Sequence, residues 1–170
     1  LVGDENKNYF NEDFELILKI ENVRLDREFN LKNLSGNLKF KNQKLYEGNL
    51  DGDFSKQKKM KFTAKTNENK TIITLFSDVA KPIVKKYKFI KGFDNGILDF
   101  YSIRDGNVSN SALKIYDFKL KELPTLTKLL TLASLQGIAD VLSGEGIRFD
   151  EFEMKFENKK KLMTINEIYA

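Results

Sequence analysis

The sequence predicts a mainly β (α+β) fold: a twisted antiparallel β-meander forming an open groove, with one long apolar helix over about 124–142 and one short helix over about 78–86. Three observations predict its strands and helices. Apolar and polar residues alternate through most of the first three quarters of the chain, the period of a half-buried strand. Short polar stretches separate the runs, and neighbouring strands joined so closely must be antiparallel. One late segment instead repeats its apolar residues at spacings of three and four.

Taken in order, Phe14, Leu16, Leu18 and Ile20 alternate with Glu15, Ile17 and Lys19. Leu34, Gly36, Leu38 and Phe40 follow, then Gly48, Leu50, Gly52 and Phe54, then Met60, Phe62 and Ala64. Thr71 to Phe76 is a more continuously apolar strand. Lys41 to Lys44, Ser55 to Lys58 and Asn67 to Lys70 are the polar turns between them. Ser77 is a candidate cap for the short helix, although Pro82 suits only a first turn. Strands resume over Gly96–Ile103 and Ala112–Leu120 around a turn at Asp105-Gly106. Pro124 suits the first position of the long helix, whose Leu126, Leu129, Leu130, Ala133, Gly137, Ile138 and Val141 recur at helical spacing before a stop at Ser143-Gly144. Lys128 and Asp140 in that helix argue for docking in an apolar trough over spanning a bilayer. In the tail, Ile147 and Phe149 differ in parity from Phe152, Met154 and Phe156, which predicts a bulge or bend at Asp150-Glu151. Leu162 to Ala170 is a last strand.

The composition narrows the chemistry. The 170 residues contain no His, no Cys and no Trp. Disulfides, Cys or His metal ligands, thiol nucleophiles and a Ser-His-Asp triad are excluded, leaving carboxylate, Lys or Tyr chemistry to an enzyme. Asp51-Gly52-Asp53 is too short for a calcium loop, so no metal site is expected. Ser143-Gly144-Glu145-Gly146 comes after a helix instead of opening one, so it is not a phosphate loop. Carboxylates such as Asp150, Glu151 and Glu153 read as a solvated face, and the chain is read as a non-enzyme without a cofactor.

Net charge is +4, from 29 Lys and Arg against 25 Asp and Glu. The Lys clusters read as solvated hairpin tips, with an anionic membrane surface as the next reading. Only Arg24, Arg27, Arg104 and Arg148 are Arg, and acidic residues are interspersed, so nucleic acid is not expected as a partner. The first residue is Leu1 and no apolar run marks a signal peptide, which predicts a segment of a longer protein.

Strand after strand carries Leu, Ile and Phe on one face. Such a sheet either closes over an ordinary core or stays open as a trough that holds something else. An apolar trough suits acyl chains, at about 0.8 kcal/mol per buried CH₂. Both possibilities stand at the level of pattern.

The stretch from Leu123-Pro124-Thr125-Leu126 to Arg148-Phe149-Asp150 narrows them. Its runs Leu132-Ala133-Ser134-Leu135-Gln136-Gly137 and Leu142-Ser143-Gly144-Glu145-Gly146-Ile147-Arg148-Phe149 resemble a hallmark of AsmA-like envelope proteins of Gram-negative bacteria, of the YhdP type. The resemblance extends to Ser77-Asp78, Gly96-Ile97-Leu98, Leu113–Leu120 and Phe152–Ala170, whereas residues 1–76 match only as a generic β-meander. Where relatives often have a Gly-containing hairpin, this chain has Asn158-Lys159-Lys160-Lys161. The resemblance implies a single β-groove segment, residues 1–170, of a periplasmic protein anchored in the inner membrane by a part outside this chain. It implies carriage of phospholipid or another acyl-chain lipid between inner and outer membranes, akin to bridge-like lipid transporters. Outer-membrane or periplasmic proteins are further candidate partners, and a non-enzymatic scaffold for envelope assembly is the alternative function. Candidate lipid-binding residues are Leu16, Leu18, Leu38, Phe40, Leu50, Phe54, Phe62, Leu98, Phe100, Leu113 and Ile115, with packing beneath the long helix as their competing role.

Overall fold

Each polar break in the alternation becomes a reversal of the chain. The computed structural model describes residues 12–86, 92–121, 146–160 and 162–170. Within them the chain runs β1 (Phe14–Arg24), β2 (Asn30–Lys41), β3 (Lys44–Asp53), β4 (Lys59–Asn67), β5 (Lys70–Ser77), α1 (Lys81–Val84), β6 (Phe93–Asp105), β7 (Val108–Leu120), β8 (Ile147–Lys159) and β9 (Leu162–Tyr169). The nine strands make one open antiparallel sheet in sequence order, with β1 and β9 as its edges. The proposed long helix over 124–142 lies outside the described residues.

Turn chemistry fixes the hairpins. Asn42 and Gln43 join β2 to β3 with φ of 47° and 63°. Two successive positive φ values define the mirror-image turn whose twist matches that of the flanking strands. Inside β2, Gly36 sits at φ 142°, and a Cβ there would run into the backbone carbonyl of Asn49 on β3. Its glycine is therefore a requirement of close strand approach, not a loose point in the strand. A register shift between Lys32 and Ser35, at Asn33 (φ 51°), marks a bulge in β2. This brings Leu31 onto the same face as Gly52, whose missing side chain Leu31 occupies.

The short helix differs from the sequence expectation of 78–86. It covers one turn, Lys81–Val84, and its cap position is Ala80, with no side-chain capping bond. Ser77 instead ends β5, fully buried, and folds its hydroxyl onto Val79: Oγ donates to the Val79 carbonyl and accepts from the Val79 amide. A serine hydroxyl can satisfy a local turn as readily as a helix end. Pro82 fits only near the start of a helix, so α1 cannot begin several residues earlier.

Ala80 and Val84 pack on Phe93, Leu98, Ile115, Phe118, Leu120, Ile147 and Phe152 as the core cluster. The Ala80 amide donates to the Gly96 carbonyl at 2.8 Å, which ties the helix to β6. Of the bulge or bend predicted at Asp150-Glu151, the structure has the bend and not the bulge. Phe118 pairs with Phe149 and Tyr116 with Glu151 in unbroken register, so β8 gains no residue relative to β7. Instead, the inward parity switches in all three strands at one level. Inward residues change from Phe93 to Leu98 in β6, from Phe118 to Ile115 in β7, and from Ile147 to Phe152 in β8. Asn95, Gly96 and Asp117 carry positive φ along this line. The three strands share a crease, and because each neighbour switches together the ladder survives it.

Candidate functional site

Cross-strand partners share a face, so the pairing register reads out each face rung by rung. One rung crosses the whole sheet: Leu18, Gly36, Leu50, Phe62, Leu75, Phe100, Leu113, Met154 and Ile168. It contains no polar side chain. The rung beside it holds Leu16, Leu38, Gly48, Ala64, Ile73, Ser102, Ser111, Phe156 and Ile165. On the other side, Met60, Ser77, Leu98, Ile115 and Phe152 lie in line. Together they form an inner wall that is apolar apart from Ser77 and the Ser102–Ser111 pair. The outer face is different in kind. Glu15, Lys39, Glu47 and Lys65 lie on one outer rung, and Asp51, Lys61, Phe76, Asp99, Lys114 and Glu153 on another. Ion pairs lace it, including Lys39–Glu47 at 3.2 Å and Lys155–Glu167 at 2.8 Å. Such exposed pairs are screened by solvent and add little to stability.

The wall gathers the predicted lipid contacts, although not in one environment. Leu98 and Ile115, 2 % and 1 % exposed, sit in the core beneath α1. Phe100 and Leu113 are half-buried and packed against that core. Leu18, Leu38, Leu50 and Phe62 are half-buried, and Leu16 is 42 % exposed. Phe40 stacks on Phe14 of the edge strand, ring centres 4.7 Å apart. Phe54 is farther off, lining a pocket at the α1 end. Room for the larger side chains comes from Gly48: a Cβ there would lie 2.7 Å from Leu38 and 3.5 Å from Phe62.

Sequence reasoning missed Arg104 and the band of hydroxyls around it. This rung carries Thr66, Thr71, Arg104, Ser109 and Asn158 at the end of the sheet away from α1. Arg104 Nη2 donates to the Leu45 carbonyl at 2.6 Å and to Thr71 Oγ1 at 3.1 Å. Thr66 Oγ1 donates its one proton to the Tyr46 carbonyl at 2.6 Å, so in its 2.9 Å contact with Thr71 it accepts. In a flat sheet, β6 and β3 would lie about 14 Å apart, three strand spacings. An extended arginine with one hydrogen bond does not reach that far, so the sheet curls toward its inner face between them. The second link of this kind is at the α1 end. Lys81 and Lys85 reach the β1–β2 turn, pairing with Glu28 at 3.2 and 3.1 Å.

A pocket of about 490 Å³ opens at that end, lined by Phe29, Phe54, Val79, Lys81, Asp94 and Ile97 among others. Its carboxylates are all engaged. Asp94 bonds Lys121 at 2.6 Å and Lys81 at 3.0 Å; Glu28 meets both helix lysines; Asp78 accepts from the Lys59 amide; Asp117 meets Arg148. The hydrogen bond from Lys121, seconded by that from Lys81, holds the Asp94 carboxyl down at about 2. A general acid needs the opposite shift. Among the described residues no group of three metal-ligating side chains gathers, and no helix is long and apolar enough to cross a membrane.

The Asp94 cluster sets an acid dependence. A carboxyl depressed in the folded state stabilises fully above its ordinary value of 3.8, and the contribution is lost as pH falls toward about 2. Lys121 is half exposed, so solvent screening leaves about 1 kcal/mol. Urea midpoints measured from pH 6 down to pH 2 are expected to fall more steeply for the parent than for Asp94→Asn, the two curves converging at the acid end.

Compared with known proteins, the chain matches no family model, no curated protein and no solved structure. Within the described structure, the apolar wall is the guide to function.

Proposed function

We propose that the chain is a segment of a lipid-carrying groove. Its apolar inner wall holds acyl chains of phospholipid, which a longer periplasmic protein, anchored in the inner membrane by a part outside this segment, carries between inner and outer membranes. The observation that carries this reading is the nine-strand rung from Leu18 to Ile168, which has no polar side chain on a sheet with two open edges. An ordinary antiparallel sheet with one wet face needs one apolar face, but most of that face is buried by a second layer. Here the only described element over the wall is α1, a single turn. Half-buried Leu18, Leu38, Leu50 and Phe62 lie beyond its core cluster. The curl between β3 and β6 wraps the wall around a ligand and adds contact per chain. Hydrocarbon needs no directional partner, so transport along such a wall requires no catalytic residue. The resemblance of residues 123–150 to AsmA-like proteins points the same way and supplies the envelope setting.

The test is mass spectrometry of an organic extract of the gently purified chain. Phospholipid in near-stoichiometric amount is the expected result, and an extract free of any amphiphile overturns the reading.

The open edges favour a second reading, a non-enzymatic scaffold for envelope assembly acting through protein contacts. β9 exposes Leu162, Met163, Ile165 and Tyr169, and among the described residues it pairs only with β8. An uncovered strand edge offers backbone groups to a partner strand. That reading is separated from the first by the same extract, which it expects to be empty.

A further inference from the structure

We propose that the Arg104 end of the inner face binds the phosphate head group of an amphiphile whose acyl chains lie on the apolar wall. The inference deepens the lipid reading above and rests on it. Four rungs of the inner face are defined by the register, and Arg104 is the one charged residue on them. Every other Lys or Arg on the paired rungs of β3 to β8 beside it faces outward, among them Lys61, Lys65, Lys114 and Lys155. Two of those outer cations are ion-paired on the same face, Lys114 to Glu153 at 3.3 Å and Lys155 to Glu167 at 2.8 Å, while Lys61 and Lys65 lie on outer rungs opposite Asp51 and Glu47. Arg104 has none within 4.0 Å among the described residues.

Its hydrogen bonds do not supply the missing charge. Arg104 passes one donor to Thr71, Thr71 passes its proton to Thr66, and Thr66 passes its own to the Tyr46 carbonyl. The relay ends on neutral carbonyl oxygens of β3, so none of these partners of the half-buried guanidinium is an anion. Only Nη2 has a partner among the described residues; Nη1 and Nε keep their N–H groups. The fork of a guanidinium fits phosphate oxygens two at a time. Ser109 on β7 and Asn158 on β8 continue the polar rung beyond Arg104, and the buried Ser102–Ser111 hydroxyl pair at 2.9 Å lies on the next rung. Two rungs further along, Phe100, Leu113 and Leu75 begin the wall. The Arg104 rung lies four residues from the Phe100 rung, about 13 Å at strand rise, a length that places a head group on one and acyl chains on the other.

Two fluorescent lipids with the same acyl chains test this: phosphatidic acid, and diacylglycerol, which lacks only the phosphate. The parent chain is expected to bind phosphatidic acid about tenfold more tightly. Arg104→Gln removes that preference while diacylglycerol binding is unchanged. Ser109→Asp, which sets a carboxylate directly across from Arg104, does the same without deleting any contact of the guanidinium, and carries the test if Arg104→Gln melts early. Inorganic phosphate alone is the third probe, and it should compete only at concentrations far above the lipid. Equal binding of the two lipids, a preference that survives both substitutions, or inorganic phosphate competing as well as phosphatidic acid overturns the inference while leaving the lipid wall standing. Binding of neither lipid overturns the wall reading as well.

Discussion

Replacing Ile115 by Asp is expected to abolish the cooperative unfolding transition. Ile115 is 1 % exposed and pairs with Leu98 on β6 and Phe152 on β8, with Ala80 and Val84 of α1 in the same cluster. Among the described residues, the core cluster around it offers a carboxylate no cation and no side-chain donor. It would either stay charged and unpaired or take up a proton at a cost of several kcal/mol. A domain of this size is stable by about 5–15 kcal/mol, so that cost and the lost packing consume most of it. Ile115→Ala separates the two effects. It removes packing alone and is expected to lower unfolding free energy by about 2–5 kcal/mol, with the transition intact. Urea titration followed by far-ultraviolet circular dichroism reads both variants. A folded Ile115→Asp with a near-parental midpoint would show that this rung is not core.

Asp at Leu50 or at Phe62 is expected to behave in the opposite way, losing lipid and keeping the fold. The two residues are opposite each other on β3 and β4, half-buried, and outside the core cluster under α1. A charge at such a site keeps partial access to water, so the cost to folding is small beside that at Ile115. The cost to an acyl chain is larger, because several CH₂ groups lose an apolar surface at about 0.8 kcal/mol each. Co-purified phospholipid should fall at least tenfold, with a melting temperature within a few degrees of the parent. Phe100 is a poorer probe of the same idea, since it packs against the core and its loss confounds binding with stability. Unfolding of Leu50→Asp and Phe62→Asp with unchanged lipid would assign these side chains to packing.

The contrast between Ile115 and Leu50 shows what period-two reading can and cannot do. Alternation placed both on the inner face, and the register agrees for nearly all the predicted contacts, because a strand turns each successive side chain to the opposite side whatever lies beyond it. It carried no information on depth, since Leu98 and Leu50 sit in similar alternating runs. Depth follows the core cluster, which Ala80 and Val84 share with Leu98 and Ile115 and not with Leu50. The short helix is shorter than the sequence predicts because Ser77 offers the same hydroxyl to a turn as to a helix cap. Arg104 was passed over for a related reason. As a lone cation near Asp105-Gly106 it reads as one more hairpin-tip charge, and its two partners across the sheet lie 33 and 59 residues away in sequence.

The sequence alone settled which residues share a face and where the chain reverses, because both depend on a few neighbouring residues: the pleat of a strand, the φ tolerance of Asn and Gly, the polarity of a turn. The folded sheet decided everything that depends on distance across it. Curling brought Arg104 over β5 and β4 to the carbonyl of Leu45, a shared crease kept β6, β7 and β8 in register, and one part of the apolar wall packs in the core cluster with Ala80 and Val84 while another part is half-buried. Those outcomes arise from contacts between strands far apart in the chain, which no local pattern encodes.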